Sequence, residues 1–313
     1  MFTIPLPPFS PTIVITGATS GIGQLAAIEL ARQGAHIVFS ARNEAKAAAT
    51  CAAIKMAAPG ARVNVHYADF ISLDAVARLA NEISSSYERI DVLINNAGLH
   101  AFEQRITADG FAEMIAVNYL APWLLTNILR EKLVGSAPSR IVTVASEASR
   151  RAGDLVPHRD IRNTAVFTRL GSSRIYGQTK LMNIMFSMEL GRQLQGTGVA
   201  VNCLCPGFNV TGLGRELGFA ATLERILKAL NIGNPQRGAG IMVRLATDPA
   251  FERVSEGYFS VKGAKPLVPV RPGNDIAARQ ALWFVTSELV AERLAGPNPF
   301  VALNPLLNEV FDK

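Results

Sequence analysis

The stretch TIVITGATSGIG, residues 12–23, runs from a short apolar, β-branched segment into a turn carrying glycines at 17, 21 and 23. β-Branched residues suit a buried strand. Gly17, Gly21 and Gly23 permit a tight turn, close approach of backbone to a pyrophosphate and close packing of helix on strand. IGQLAAIELARQG (22–34) then reads as a helix that stops at Gly34. The start of such a helix offers free N–H groups and the positive end of its dipole. Gly17, Thr19, Ser20, Gly21, Ile22 and Gly23 are therefore candidates to bind phosphate.

Outward from this turn the pattern repeats. Apolar strands are expected at 36–40, 62–69, 91–98, 140–146 and 199–207, and helices at 44–58, 72–87, 107–134 and 174–195. Strands alternating with helices this long imply right-handed βαβ units. The expected fold is a doubly wound (Rossmann-type) α/β domain, a mostly parallel sheet with helices on both faces. Ligands of such sheets lie at the carboxyl ends of the strands, and every motif below falls at one of those ends.

No linker, charge block or repeat divides the chain, so a single domain is expected over 12–262, with substrate insertions near 147–175 and 208–232. Residues 1–11, with prolines at 5, 7, 8 and 11, read as an extended arm rather than a signal peptide. Residues 263–313 read as a C-terminal extension packed on the same domain, with a helix near 275–294 and an apolar tail that would lie over the substrate mouth or a neighbour. No apolar run approaches the roughly 18–20 residues that span a bilayer, which points to a soluble, cytoplasmic protein. Cys51, Cys203 and Cys205 are too few for a disulfide framework and lack metal-ligand spacing, so they read as reduced, small hydrophobic side chains, and no metal is expected. A formal charge of +6 without a dense basic run or interleaved aromatics argues against nucleic acid and for anionic small molecules.

Chemistry is signalled by YGQTK, which puts Tyr176 and Lys180 four apart on one helix face. A cation within about 4–6 Å can lower a phenol's pKa by roughly 1–3 units, towards the range useful for proton transfer. The second strand ends SARN (40–43), with Ala41 where NAD enzymes commonly carry an acidic residue, followed by Arg42. Arg42 is read as the partner of a 2′-phosphate, selecting NADP(H), or else as a solvated surface residue. Lys46 could add a second charge. Asp69 is read either as an acceptor for the adenine amine or as a helix N-cap.

TGATSGIG, NNAG (95–98), Asn118, Ser146, YGQTK and CPG (205–207), in this order, resemble the short-chain dehydrogenase/reductase family from about residue 12 to 260. The segment 174–207 and the long gap from Ser146 to Tyr176 are similar to the branch of retinol dehydrogenases and related carbonyl reductases. The resemblance implies that Ser146 hydrogen-bonds the substrate oxygen, and that Tyr176 exchanges the proton with it. Lys180 would lower the Tyr176 pKa and bond the nicotinamide ribose, and Asn118 would hold a water in the proton relay. Asn95, Ala97 and Gly98 would line the adenosine ribose, and Pro206, Gly207 and Thr211 would enclose the nicotinamide.

The implied activity is NADPH-linked hydride transfer to or from a hydrophobic carbonyl or alcohol. A non-catalytic NADPH-binding sensor or scaffold is the alternative, and a sugar-nucleotide epimerase or dehydratase a third. Two positions depart from the family: Ala145 precedes Ser146 in place of a second serine, and Asn209 replaces an aliphatic residue. Membrane-bound members carry an N-terminal anchor for which this chain has no long enough segment. Arginines 150, 151, 159, 162, 169 and 174 in the insertion read as solvated or as a basic rim for an anionic tail. Helices 107–134 and 174–195 carry surplus apolar surface, which relatives pair between subunits, so a homodimer or homotetramer is expected.

Overall fold

The computed structural model describes residues 10–207 and 234–294. Seven parallel strands form one sheet in the order β3-β2-β1-β4-β5-β6-β7. They are β1 (Thr12–Ile15), β2 (His36–Ala41), β3 (Val63–Tyr67), β4 (Val92–Asn95), β5 (Ser139–Val144), β6 (Val199–Cys205) and β7 (Gly257–Ser260). The order reverses beside β1, between its neighbours β2 and β4, and a switch point of this kind opens a crevice at the strands' carboxyl ends.

Alternation along the strands divides the core. Ile13, Ile15, Ile37, Phe39, Val142 and Val144 face one layer, made by α1 (Gly21–Arg32), α2 (Glu44–Ala57) and α9 (Pro235–Thr247). Val14, Val38, Leu93, Ile141 and Val201 face the other. That layer holds α3 (Leu73–Ser86), α5 (Ala121–Ile128), α6 (Arg130–Gly135), α8 (Ser172–Gln193) and α10 (Ile276–Arg293).

Two expectations are corrected. The helix expected at 107–134 is broken. Residues 106–112 form a tight hairpin, in which the Thr107 N–H reaches the Phe111 carbonyl at 2.8 Å and Gly110 has φ +82. Helix begins only at α4 (Glu113–Ile115), passes through a π-helical turn at Ala116–Leu120, and resumes in α5. Pro122 has no N–H to offer the carbonyl four residues back, that of Asn118. The ladder accommodates this with a wider turn, in which Ala121 bonds to Ala116.

The second correction concerns the surplus apolar face. It is covered in part from within the chain by α10, where Trp283 packs 5.4 Å from Trp123 of α5 and 5.9 Å from Phe186 of α8. The Tyr119 hydroxyl and Thr286 Oγ1 are 2.6 Å apart in the same seam. α10 thus occupies part of the face on which the expectation of a homodimer or homotetramer rested. The helix near 275–294 is α10, which lies on α8 and on α7 (Pro157–Ile161) and reaches α5 through Trp283, while the following tail falls outside the described residues. Among the described residues, no helix is long and apolar enough to cross a membrane.

Candidate active site

At the end of β1, Gly17 and Gly21 hold φ of +69 and +60, the left-handed region open to glycine. A methyl group on Gly23 would lie 2.5 Å from the Gly17 carbonyl oxygen and against the Asn96 amide, so helix and turn touch through bare backbone. Ser20 precedes α1 without a side-chain cap and the first turn carries no acidic residue, leaving its N–H groups for an anion. Asn96, which the motif reading passed over, fixes this turn. Its amide donates to the carbonyls of Thr16 (2.9 Å) and Gly17 (3.1 Å), while Thr16 Oγ1 accepts from the N–H groups of Asn96 and Ala97, each at 3.0 Å.

Asn95 faces the other way. Its side chain is buried and donates to Thr126 Oγ1 of α5 at 2.8 Å, so it braces β4 against α5 instead of lining a ribose site. Successive residues leaving a strand point to opposite faces, the one signal that could have separated the two asparagines. Ala97 and Gly98 do lie along the crevice, and a methyl group on Gly98 would stand 3.4 Å from Lys180 Nζ and 3.3 Å from Asn118 Oδ1. Arg42 is exposed beyond buried Ala41 and has no hydrogen-bond or ion-pair partner among the described residues. Asp69 is half-buried and accepts from Ile71 N–H at 3.3 Å; the cap of α3 is Ser72, not Asp69. Lys46 is exposed next to the Asn43 cap of α2.

At the ends of the strands beyond, the Ser146 hydroxyl neighbours the Tyr176 phenol closely enough to act on it. Ser146 leaves β5 and also accepts from Ala148 N–H at 3.1 Å. Gly177 lets the Tyr176 turn of α8 meet this loop, since a methyl group there would lie 2.5 Å from the Ala148 carbonyl oxygen. Lys180 is 4% exposed and donates to the Val144 carbonyl at 3.0 Å, with Nζ 5.6 Å from the centre of the Tyr176 ring. Asn118 is fully buried in the π-turn. Both its amide hydrogens are committed, to Leu99 O (2.8 Å) and Thr179 Oγ1 (3.1 Å), and its Oδ1 accepts from Leu99 N–H (2.8 Å).

The protein's own environment does not lower the tyrosine's pKa as expected. Burial pushes the Tyr176 phenol above its usual range, the Cys205 thiol adds to this, and neighbouring Ser146 opposes it only in part. Lys180 is itself brought down to about 8 by burial. Desolvation disfavours the charged form of each. A further residue joins the site: the His100 ring stacks on Tyr176 at 4.7 Å and on Phe102 at 4.6 Å, and its Nε2 is 3.1 Å from Ser172 Oγ. No sequence motif marks it.

Known proteins resemble this chain. The family description short chain dehydrogenase matches residues 11–158. Human retinol dehydrogenase 13 is 36% identical over 285 residues, covering 89% of this chain and 84% of its own. The chain is a short-chain dehydrogenase/reductase of the retinol dehydrogenase branch. Human retinol dehydrogenase 14 is 34% identical over 295 residues, covering 89% of this chain and 86% of its own. Among solved structures, this dehydrogenase/reductase is similar to a protein from Mycobacterium paratuberculosis with a TM-score of 0.68 and 27% identity, over 91% of this chain and 96% of that one. A protein from Beutenbergia cavernae titled as an NAD(P)-dependent gluconate 5-dehydrogenase, with bound NADP at low occupancy, has a TM-score of 0.62 and 28% identity. That likeness covers 82% of this chain and 97% of that one. The protein is thus an oxidoreductase of a family that uses nicotinamide cofactors.

Contacts link the glycine turn to Ala97, and Gly98 to Asn118 and Lys180, while Ser146 neighbours Tyr176 and the Pro206–Gly207 turn leaves β6 beside the loop after Ser146; Asn95 turns the other way. Thr211, Asn209 and the segment 208–232 lie outside the described residues. A bare-backbone cradle that a single methyl group would fill, beside a helix start without acidic residues, fits a dinucleotide pyrophosphate. Among the described residues no group of three or more His, Cys, Asp or Glu could hold a metal ion.

Proposed function

We propose that this protein is an NADP(H)-dependent oxidoreductase acting on the carbonyl or alcohol of a hydrophobic small molecule. The observation that carries the reading is the cluster of Tyr176, neighbouring Ser146 and buried Lys180, whose Nζ stands 5.6 Å from the centre of the tyrosine ring and is fixed by the Val144 carbonyl. A bound nicotinamide supplies or accepts the hydride. Residues Gly17 to Gly23 would hold its phosphates, Arg42 a 2′-phosphate, Ala97 and Gly98 the ribose side, and Pro206 and Gly207 the nicotinamide side.

Two hydroxyl donors, Ser146 and Tyr176, converge where a substrate oxygen gains negative charge. Tyr176 keeps its proton at rest, because burial holds the phenol neutral. It is therefore set to act as the acid in the reductive direction. Lys180 supplies positive charge on the same helix face, at a position fixed by Val144. The Asn118 side chain ties the loop after β4 to the start of the Lys180 turn through Leu99 and Thr179, which keeps the two sides of the crevice in register.

The arginine-rich insertion gives weak support to an anionic tail on the substrate. Arg150 is paired with Glu147, Arg159 with Asp160 and Arg162 with Glu292, which favours the solvated reading for these three. Equal turnover of neutral and carboxylated versions of one substrate at low salt would end that idea.

The test is oxidation of NADPH, with NADH in parallel, over a panel of hydrophobic aldehydes and ketones, using Tyr176→Phe as the blank. Turnover that prefers NADPH and disappears in the variant supports the proposal. Tight NADPH binding without turnover of any substrate would favour a sensor or scaffold.

A further inference from the structure

Cys205, the last residue of β6, is buried, and its sulfur receives two backbone N–H groups, from Glu147 at 3.3 Å and from Gly207 at 3.4 Å. Glu147 follows Ser146 on the loop leaving β5, and Gly207 closes the turn leaving β6. The Glu147 carboxylate is held in turn, accepting from the Tyr258 hydroxyl at 3.0 Å and from Arg150 Nε at 2.7 Å. Tyr258 belongs to β7 and packs with Cys205 and Ala145. Groups from three neighbouring strands and the loops that leave two of them therefore converge around one sulfur.

A thiol sulfur is a weak acceptor but a large one, and here it accepts from two loops at once. Reading Cys205 as a small hydrophobic filler misses this, because an alkyl group of the same volume offers neither amide an acceptor. Burial raises the thiol's pKa, which keeps it a neutral acceptor and not a nucleophile.

We propose that Cys205 is a positioning residue that sets the spacing between the Ser146 loop and the Pro206–Gly207 turn by accepting an amide hydrogen from each. This rests on the proposed function, under which the substrate oxygen is held by one of these loops and the nicotinamide by the other. One sulfur then couples substrate chemistry to cofactor binding.

The experiment compares Cys205→Ser, Cys205→Ala and Cys205→Val in the full chain. Three readouts are taken: hydrogen exchange at the Glu147 and Gly207 amides without added cofactor, NADPH Kd, and kcat and KM. If the sulfur acts as an acceptor, Ser stays within about 3-fold of wild type. Ala and Val then lose roughly 10-fold or more of the amide protection, and both Kd and kcat worsen by about 5–50-fold. If it acts only as filler, Val is best, Ser worst and both amides exchange alike in all three variants, which overturns the proposal. Should Ala fail to fold, the contrast between Val and Ser still decides. A wild type that binds NADPH but turns over nothing removes the enzymatic reading alone, and the acceptor ranking in exchange and Kd then judges the sulfur.

Discussion

The two walls of the crevice are built on different physical principles. On the β1–β4 side, the shape is made by backbone: positive-φ glycines, Thr16 Oγ1 between two N–H groups, and the Asn96 amide on two carbonyls. None of those groups titrates, so that wall keeps its form at any working pH. On the β5–β6 side, the shape is made by buried polar side chains, and two of them are displaced against their charged forms, Tyr176 upward and Lys180 down to about 8. Under the proposed function, one wall recognises by fit and the other acts through protons. Shape is secured cheaply by glycine, whereas proton chemistry requires burying groups that would be more stable in water.

The largest separation of the two walls is expected from Tyr176→Phe. Removing one hydroxyl should lower kcat roughly 100- to 10,000-fold, with NADPH Kd within a few-fold of wild type by fluorescence titration. A comparable rise in Kd would show that the tyrosine belongs to the binding wall instead.

Lys180 tests the burden of burial directly. Above pH 10.5 the side chain is neutral in both folded and unfolded chains. As the pH falls towards 8 the unfolded chain takes up the proton first, so stability is lost across that interval, and below it the folded state carries the full penalty. For a shift from 10.5 to about 8 this amounts to about 3 kcal/mol. Lys180→Met should therefore be more stable than wild type at neutral pH, with the difference closing between pH 8 and 10.5 in urea titrations. Taking the difference removes the contributions of other groups that titrate in this range. A pH-independent difference would mean that the lysine is not desolvated as its surroundings indicate.

A matched pair of glycines compares the walls at equal chemical cost. Gly23 and Gly177 each face a carbonyl oxygen 2.5 Å from where a methyl carbon would sit. Overpacking of this kind costs about 1–3 kcal/mol, or roughly 5–150-fold in the property it disturbs. Gly23→Ala should raise NADPH Kd with little change in kcat at saturation. Gly177→Ala should lower kcat with little change in Kd, because it separates Tyr176 from the Ser146 loop. Identical signatures from both variants would break the division between the walls.

The same division explains what could be read from the chain. Glycine spacing encodes backbone shape directly, and a Tyr–Lys pair four apart encodes a shared helix face, so both walls were locatable. Distant contacts were not. The apolar excess of α5 and α8 suggests a second subunit until α10, a hundred residues further along, is seen to cover part of it with Trp283. Asn95 and Asn96 are indistinguishable as letters, and only the side of β4 each leaves by separates a brace from a turn clamp. The direction of the Tyr176 and Lys180 shifts depends on how much water the packing excludes, a property of the assembled layers that no local spacing carries. Cys205 looked like filler for a related reason, since the two amides it receives come from separate loops.

The smallest effect is expected from Arg42, on the rim of the binding wall. It is exposed and has no partner among the described residues, so a 2′-phosphate would meet an unconstrained and well-hydrated guanidinium. Such a contact is worth less than a buried charge pair and is screened by salt. Arg42→Ala should raise the Kd for NADPH by about 10-fold, the lower end for a charge-assisted hydrogen bond, and leave NADH unchanged. High ionic strength should shrink the wild-type preference towards that of the variant. Because Ala41 leaves no carboxylate beside it, Arg42→Glu should carry the preference over to NADH by placing an acceptor near the ribose hydroxyls and a repelling charge near a phosphate. If wild type binds both dinucleotides equally and neither variant changes the ratio, selection does not reside at the end of β2. The glycine cradle and the Tyr176 wall would be untouched by that result, since neither contacts the 2′ position in the arrangement proposed.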